Sequence, residues 1–326
     1  MQCKPVRISR LALAVALLML AVSLIGCGEL ASFQNEELAE ASGAGNQPVT
    51  VYYITRKGNY LVPVNAAVQL DDDICSNVVK KVLAGPQDLD LQEVLLSPFP
   101  RGVLLKYIYA RDGRVCVDLV GDAIITMEQD QLQRALHSLI FTLGELPNAD
   151  IKSIEILVDG MSNNNMLLER PDYVNEIPGE PDDGWPATVF FSYNDACLVP
   201  VTVKLASGTT DMLKATLDQL LAGPRGIPYL SSVFPHGTRL LEYDLKGGLL
   251  RLNFSKEAVL LDRKGNIRKE EQSPAIGSLA LTLGRFTDID QFQILIDGEP
   301  LIKKPLKVPR SYLDLENMVK AQPERG

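Results

Sequence analysis

LVPV at Leu61–Val64 is met again at Leu198–Val201, and it opens a series of such echoes. LAGP at Leu83–Pro86 returns at Leu221–Pro224, and PFPRG at Pro98–Gly102 returns as VFPHG at Val233–Gly237. TLG stands at Thr142–Gly144 and Thr282–Gly284, and LVDG at Leu157–Gly160 becomes LIDG at Leu295–Gly298. The partners keep one order, at offsets of 137, 138, 135, 140 and 138 residues. That constancy is an internal duplication. Its period is far longer than a solenoid unit, so it means two tandem domains. Features shared by both copies belong to the fold, and features of one copy are candidates for specialisation.

Within each copy the elements follow from local chemistry. Val49–Ile54 and Thr188–Tyr193 are β-branched and aromatic, which predicts strands. Leu61–Val64 and Leu198–Val201 read as short returning strands, their prolines favouring an edge. Asp71-Asp72-Asp73 opens a helix that ends near Ala84, since carboxylates suit the free N–H groups and positive dipole end of a helix start. A metal site is the rival reading of these aspartates. Repeat two has Gly208-Thr209-Thr210-Asp211 there, and no ligands follow at calcium-loop spacing. Gly85-Pro86 and Gly223-Pro224 stop the two helices.

Asp112-Gly113 and Gly247-Gly248 are hairpin turns, between Val103–Ala110 and Val115–Val120 in repeat one and between Arg239–Leu245 and Leu249–Phe254 in repeat two. A second helix spans roughly Glu128–Leu146, with Leu132, Ala135, Leu136, Leu139, Ile140 and Leu143 on one face. Ile276, Leu279 and Leu283 keep that face in repeat two. A last strand carries Ile154, Ile156 and Val158 and ends at Asp159-Gly160. The expected class is α+β: two tandem copies of a β-β-α-β-β-α-β two-layer sandwich.

Ahead of the repeats stands a segment of another kind. Lys4, Arg7 and Arg10 precede the apolar run Leu11–Ile25, the pattern of a signal peptide over residues 1–26. Leu24-Ile25-Gly26-Cys27 resembles the bacterial lipobox, which implies cleavage before Cys27 and a diacylglyceryl thioether on its sulfur. Two acyl chains suffice for stable anchoring. Residues 27–47, rich in Ala, Ser, Gly, Gln, Asn and Glu, are expected to be a flexible tether. Domain one is then 48–177, a linker 178–185, domain two 186–318 and a C-terminal tail 319–326. The expected location is the extracytoplasmic face of the cell membrane.

Loss of the signal takes the net charge from −9 to −12. So acidic a chain is ill suited to nucleic acid or to electrostatic adsorption on anionic lipid. Of five cysteines, Cys75, Cys116 and Cys197 remain beside the lipid site, an odd number without repeat counterparts, so a disulfide framework is not expected.

Catalytic chemistry is sparse. His137 lies on the second helix, opposite Gly277 of repeat two, and His236 lies in the VFPHG loop. One histidine per domain, on different elements, does not assemble a triad. Neither zinc-ligand spacing nor a phosphate-cradling loop is present, and no metal, cofactor or catalytic residue is expected. Asp159 and Asp297 are shared carboxylates, but each precedes glycine at a strand end, where aspartate serves a turn. Phe99-Pro100 and Phe234-Pro235 are stiff loops whose rings either cover the core edge or meet a partner. Lys303, Lys304, Lys307 and Arg310 form a basic cluster that reads as a solvated tail or as a patch for an anionic partner.

The ordered series YY, LVPV, LAGP, FP-[RH]-G, a hairpin with Val117-Asp118-Leu119, TLG and L-[VI]-DG resembles the GerM domain family. Repeat two departs at Leu252-Asn253-Phe254 and carries a charged insertion near Leu261–Gln272. The resemblance implies a non-catalytic, membrane-anchored module of a multiprotein envelope assembly in spore formation and germination. Its partners would be an envelope or sporulation protein complex, reached from the lipid anchor, without nucleic acid. Two rivals remain open. A peptidoglycan-binding or wall-remodelling protein predicts exposed aromatics and paired acids on one face, whereas the single tryptophan, Trp185, falls in the linker. A solute-binding lipoprotein predicts an interdomain cleft with chain crossovers.

Overall fold

In the computed structural model of the chain, residues 46–69, 73–111, 113–146, 151–177, 183–259, 269–301 and 303–315 are described. The signal, Cys27, nearly all of the tether, Asp71, Asp72, most of the charged insertion and the tail beyond residue 315 lie outside them. Contacts divide the chain into one unit of residues 1–47 with 69–72 and another of residues 48–68 with 73–326. Both repeats belong to the second, apart from residues 69–72.

Repeat one begins with the hairpin β1 (Asn46–Thr55) and β2 (Leu61–Gln69), followed by α1 (Ile74–Ala84). A short helix α2 (Leu89–Val94) and strand β3 (Leu95–Leu96) come next, and β3 pairs antiparallel with the end of β1. Then come β4 (Leu104–Arg111), β5 (Arg114–Val120), α3 (Gln129–Gly144), β6 (Ser153–Val158) and β7 (Met161–Glu169). Repeat two runs β8 (Trp185–Tyr193), β9 (Cys197–Leu205), α4 (Met212–Ala222), β10 (Leu240–Lys246), β11 (Leu249–Phe254), α5 (Lys269–Leu283), β12 (Gln291–Ile296) and β13 (Glu299–Pro300). A final strand β14 (Leu306–Lys307) returns to β12. Trp185, assigned to the linker from sequence, starts β8 instead.

The expected order is present in both copies, and each adds a strand after the L-[VI]-DG turn. The main sheets share one topology: β4-β5-β6-β7 and β10-β11-β12-β13. The first pair is antiparallel, the second parallel and the third antiparallel. The parallel pairs need a long crossover, which α3 and α5 supply. Leu132, Ala135, Leu136, Leu139 and Leu143 of α3 are buried against Ile154, Ile156 and Val158, as the periodicity predicts. Burial of each large apolar side chain contributes about 1.5–3 kcal/mol.

Polar groups inside are placed in duplicate too. Buried Ser138 on α3 donates to the Tyr52 carbonyl, and Ser278 on α5 donates to the Phe190 carbonyl. Each LAGP glycine ends its helix at positive φ, 77° at Gly85 and 75° at Gly223, which non-glycine residues rarely adopt.

Candidate functional site

The shared motifs resolve into structural roles. Asp159-Gly160 and Asp297-Gly298 all have positive φ and turn β6 into β7 and β12 into β13. The Gly160 N–H donates to Asp118 Oδ1 at 2.9 Å, and the Gly298 N–H donates to Asn253 Oδ1 at 2.8 Å. The Asp-to-Asn departure of repeat two therefore keeps the acceptor and drops only the charge. Phe99 and Phe234 are buried, so both rings cover the core edge.

Of the basic cluster, Arg310 is a strut at the surface. Its guanidinium donates to the Phe286 carbonyl at 2.8 Å and the Ile289 carbonyl at 2.6 Å. Lys303, Lys304 and Lys307 are exposed. Arg170 lies over Gly144 as the Arg310 segment lies over Gly284, so the TLG glycines mark where each post-hairpin segment crosses its own helix.

The histidines are not brought together with a nucleophile. His137 lines a groove of about 520 Å³ in repeat one, and His236 lines a separate hollow of about 590 Å³ in repeat two. Among the described residues, neither imidazole makes a hydrogen bond. Burial and the nearby Arg134 charge push His137 down to about 4, so it is neutral at pH 7. Cys75, Cys116 and Cys197 are free thiols, and burial pushes Cys197 up to about 12, away from nucleophilic use. No group of His, Cys, Asp or Glu suited to a metal ion occurs among the described residues. No helix among them is long and apolar enough to cross a membrane.

Two regions differ between the copies, and sequence reasoning passed over both. The first is the outer face of the repeat-one sheet. Tyr107 and Tyr109 on edge strand β4 are 68% and 54% exposed. Tyr109, Cys116 and Glu155 form one row across β4, β5 and β6, and Tyr107 stands opposite Asp118. Lys106 lies 3.8 Å from Asp118 and 3.5 Å from Asp159, and Arg114 lies 3.8 Å from Glu155. By strand register the counterparts of the two tyrosines are Glu242 and Asp244. The second is the His137 groove, walled by α3 on one side and by Tyr173, Asn175 and Glu176 on the other. Arg134 is half buried in it. Comparison of the two copies position by position is the signal that finds both.

A model of the Germane family, described as "Sporulation and spore germination", matches residues 50–164 and 188–302. The chain belongs to this family. The two matched stretches coincide with the two copies of the fold and together span most of the chain. Among curated proteins, the Spore germination protein GerM of Bacillus subtilis (strain 168) is 20% identical over 283 residues, covering 82% of this chain and 76% of that protein. Among solved structures, the tandem GerMN domains of the sporulation protein GerM from Bacillus subtilis align with a TM-score of 0.58 at 17% identity, covering 81% of this chain and 97% of that one. That likeness shows the tandem fold expected from the GerM-domain resemblance. Neither description names an enzymatic activity.

Proposed function

We propose that this Germane-family chain is a non-catalytic, lipid-anchored lipoprotein on the extracytoplasmic face of the cell membrane. It acts as an assembly module in spore formation and germination, with an envelope or sporulation protein complex as partner. The observation that carries this reading is that both copies match the sporulation and germination family, while their shared polar residues serve turns and struts. Described titratable groups that assemble into a nucleophile–base pair are lacking. The anchor follows from the lipobox at Leu24–Cys27. The test is crosslinking of the tagged full-length protein in growing and in sporulating cells. Capture of spore-envelope proteins only during sporulation is the expected result. Normal spore yield and germination after gene deletion would remove the proposal.

A second reading, binding to peptidoglycan, draws support from the outer sheet face of repeat one. Tyr107 and Tyr109 are exposed aromatics on one face, in register with Asp118 and Glu155; of these acids Glu155 is partly exposed and Asp118 is buried in the Gly160 turn. Co-sedimentation with purified peptidoglycan, lost when both tyrosines become alanine, would establish it. Equal sedimentation of wild type and double variant would eliminate it.

A further inference from the structure

The residues that line the His137 groove change character in the sister copy. Tyr173 and Tyr312 correspond, so Glu176 of repeat one corresponds to Leu315 of repeat two. Likewise Arg134 corresponds to Pro274 and His137 to Gly277. In repeat two the neighbours at this position are apolar: a Cβ at Gly277 would meet Leu198 Cδ1 at 3.4 Å and Leu315 Cδ1 at 3.8 Å. In repeat one the same place is an open groove of about 520 Å³ lined by charged and amide side chains. The fold does not need those groups, since its other copy does without them.

Arg134 carries the argument. Burial lowers its pKa, a sign that its charge has lost part of its hydration. Asp130, one turn before it, and Tyr60 attract it electrostatically, but among the described residues it makes no direct salt bridge and no hydrogen bond. A guanidinium is a planar fork of donors that matches a carboxylate in bidentate fashion. Asp130 and Glu176 also line the groove, and Glu176 is paired with Lys204 at 3.6 Å. These carboxylates repel any anion, and a polyanion or a phosphate dianion more strongly than a single carboxylate. Asn59 and Gln133 add side-chain amides, and Phe141 adds an apolar ring. A charged end, a peptide group and a small apolar side chain together describe a peptide terminus.

We infer that this groove binds the free carboxylate end of a peptide, with Arg134 clasping the carboxylate and Asn59 and Gln133 reading the adjacent amide. Neutral His137 stands within the same groove and donates or accepts one further hydrogen bond. The inference is independent of the assembly role proposed above.

The test uses the full-length protein in detergent micelles and the probe acetyl-alanyl-alanine, as free acid and as C-terminal amide. Titration is followed through the His137 imidazole resonances. The acid is expected to saturate, and the amide to bind at least tenfold more weakly. A bound carboxylate also raises the His137 pKa, because it adds a negative charge beside Arg134. Arg134→Gln should weaken the acid at least tenfold, and Arg134→Lys should weaken it less. Thermal unfolding verifies that both variants are folded, and if Arg134→Gln is not, the acid-to-amide ratio in the wild type decides. Equal binding of acid and amide would overturn the assignment. So would tighter binding of inorganic phosphate, which would mark a plain anion site, or no shift of His137 at millimolar acid.

Discussion

Asn175 and Leu61 are joined by two hydrogen bonds: the Leu61 N–H donates to Asn175 Oδ1 at 2.9 Å, and Asn175 Nδ2 donates to the Leu61 carbonyl at 2.8 Å. Nδ2 also donates to the Pro200 carbonyl at 2.8 Å. One buried amide therefore bonds both LVPV strands, one from each repeat. The neighbouring Thr202 completes the clasp, its N–H donating to the Asn175 carbonyl and its hydroxyl to the Val174 carbonyl. Tyr60 adds a second tie between the copies by donating to the Pro228 carbonyl.

Asn175→Ala leaves the Leu61 N–H and two carbonyls without partners inside the protein. The cost is about 3 kcal/mol, since each buried unsatisfied group costs ~1–3 kcal/mol with partial relaxation. The positive φ of 50° adds to it, because asparagine tolerates that conformation better than alanine. Asn175→Asp should be no milder, as it turns a carboxylate toward two carbonyls. Denaturant unfolding measures this, and a loss below about 0.5 kcal/mol for either variant would mean the clasp is not structural.

The turn after LVDG separates acceptor from charge. Asp118→Asn should stay within about 1 kcal/mol of wild type, because Asn253 already holds the equivalent turn and the Lys106 pair is half exposed. Asp118→Ala should cost about 1–3 kcal/mol by stranding the Gly160 N–H. Equal stability of the two variants would contradict the shared role.

The TLG glycines should respond unequally to alanine. At Gly144 a new methyl meets the far end of the Arg170 side chain, which can swing away, and helix propensity gains up to ~1 kcal/mol. At Gly284 it meets the Pro309 backbone carbonyl, which cannot. Gly284→Ala should destabilise by about 2 kcal/mol and Gly144→Ala by less than about 1 kcal/mol. Thermal unfolding of the pair gives the order, and a reversed order would be wrong for this packing.

His137 makes stability depend on pH. Its folded pKa of about 4 lies below the ordinary 6.5, so the unfolded chain binds more protons between these values. Stability from this group is full above about pH 6.5, falls as the pH drops, and is lost by about pH 4. The full linkage is about 3 kcal/mol, reduced to about 1–2 by partial exposure of the ring. Arg134 on the same helix opposes protonation, while Asp130 and Glu176 line the same groove. His137→Leu should flatten unfolding free energy between pH 5 and 7, where ordinary carboxylates scarcely titrate. An unchanged slope would place His137 in water.

The duplication is legible in the recurrence of motifs at one offset, and periodicity and turn chemistry are enough for the hairpins, the helix faces and the α+β class, because each of these depends on contacts between near neighbours. Even the missed strand after Asp159-Gly160 was announced by the same Asp-Gly signal that marked the hairpin at Asp112-Gly113. The rest needed tertiary structure. Asn175 and Leu61 are far apart in sequence, and nothing local says that one amide will meet both LVPV strands. Tyr107 and Tyr109 look like ordinary strand residues until the sheet shows which face is bare. Arg134 looks like any solvated helix charge until its partial burial in the groove sets it apart. Local chemistry dictates elements, whereas desolvation and long-range hydrogen bonding depend on which distant segments the fold brings together, and these define the groove and the seam.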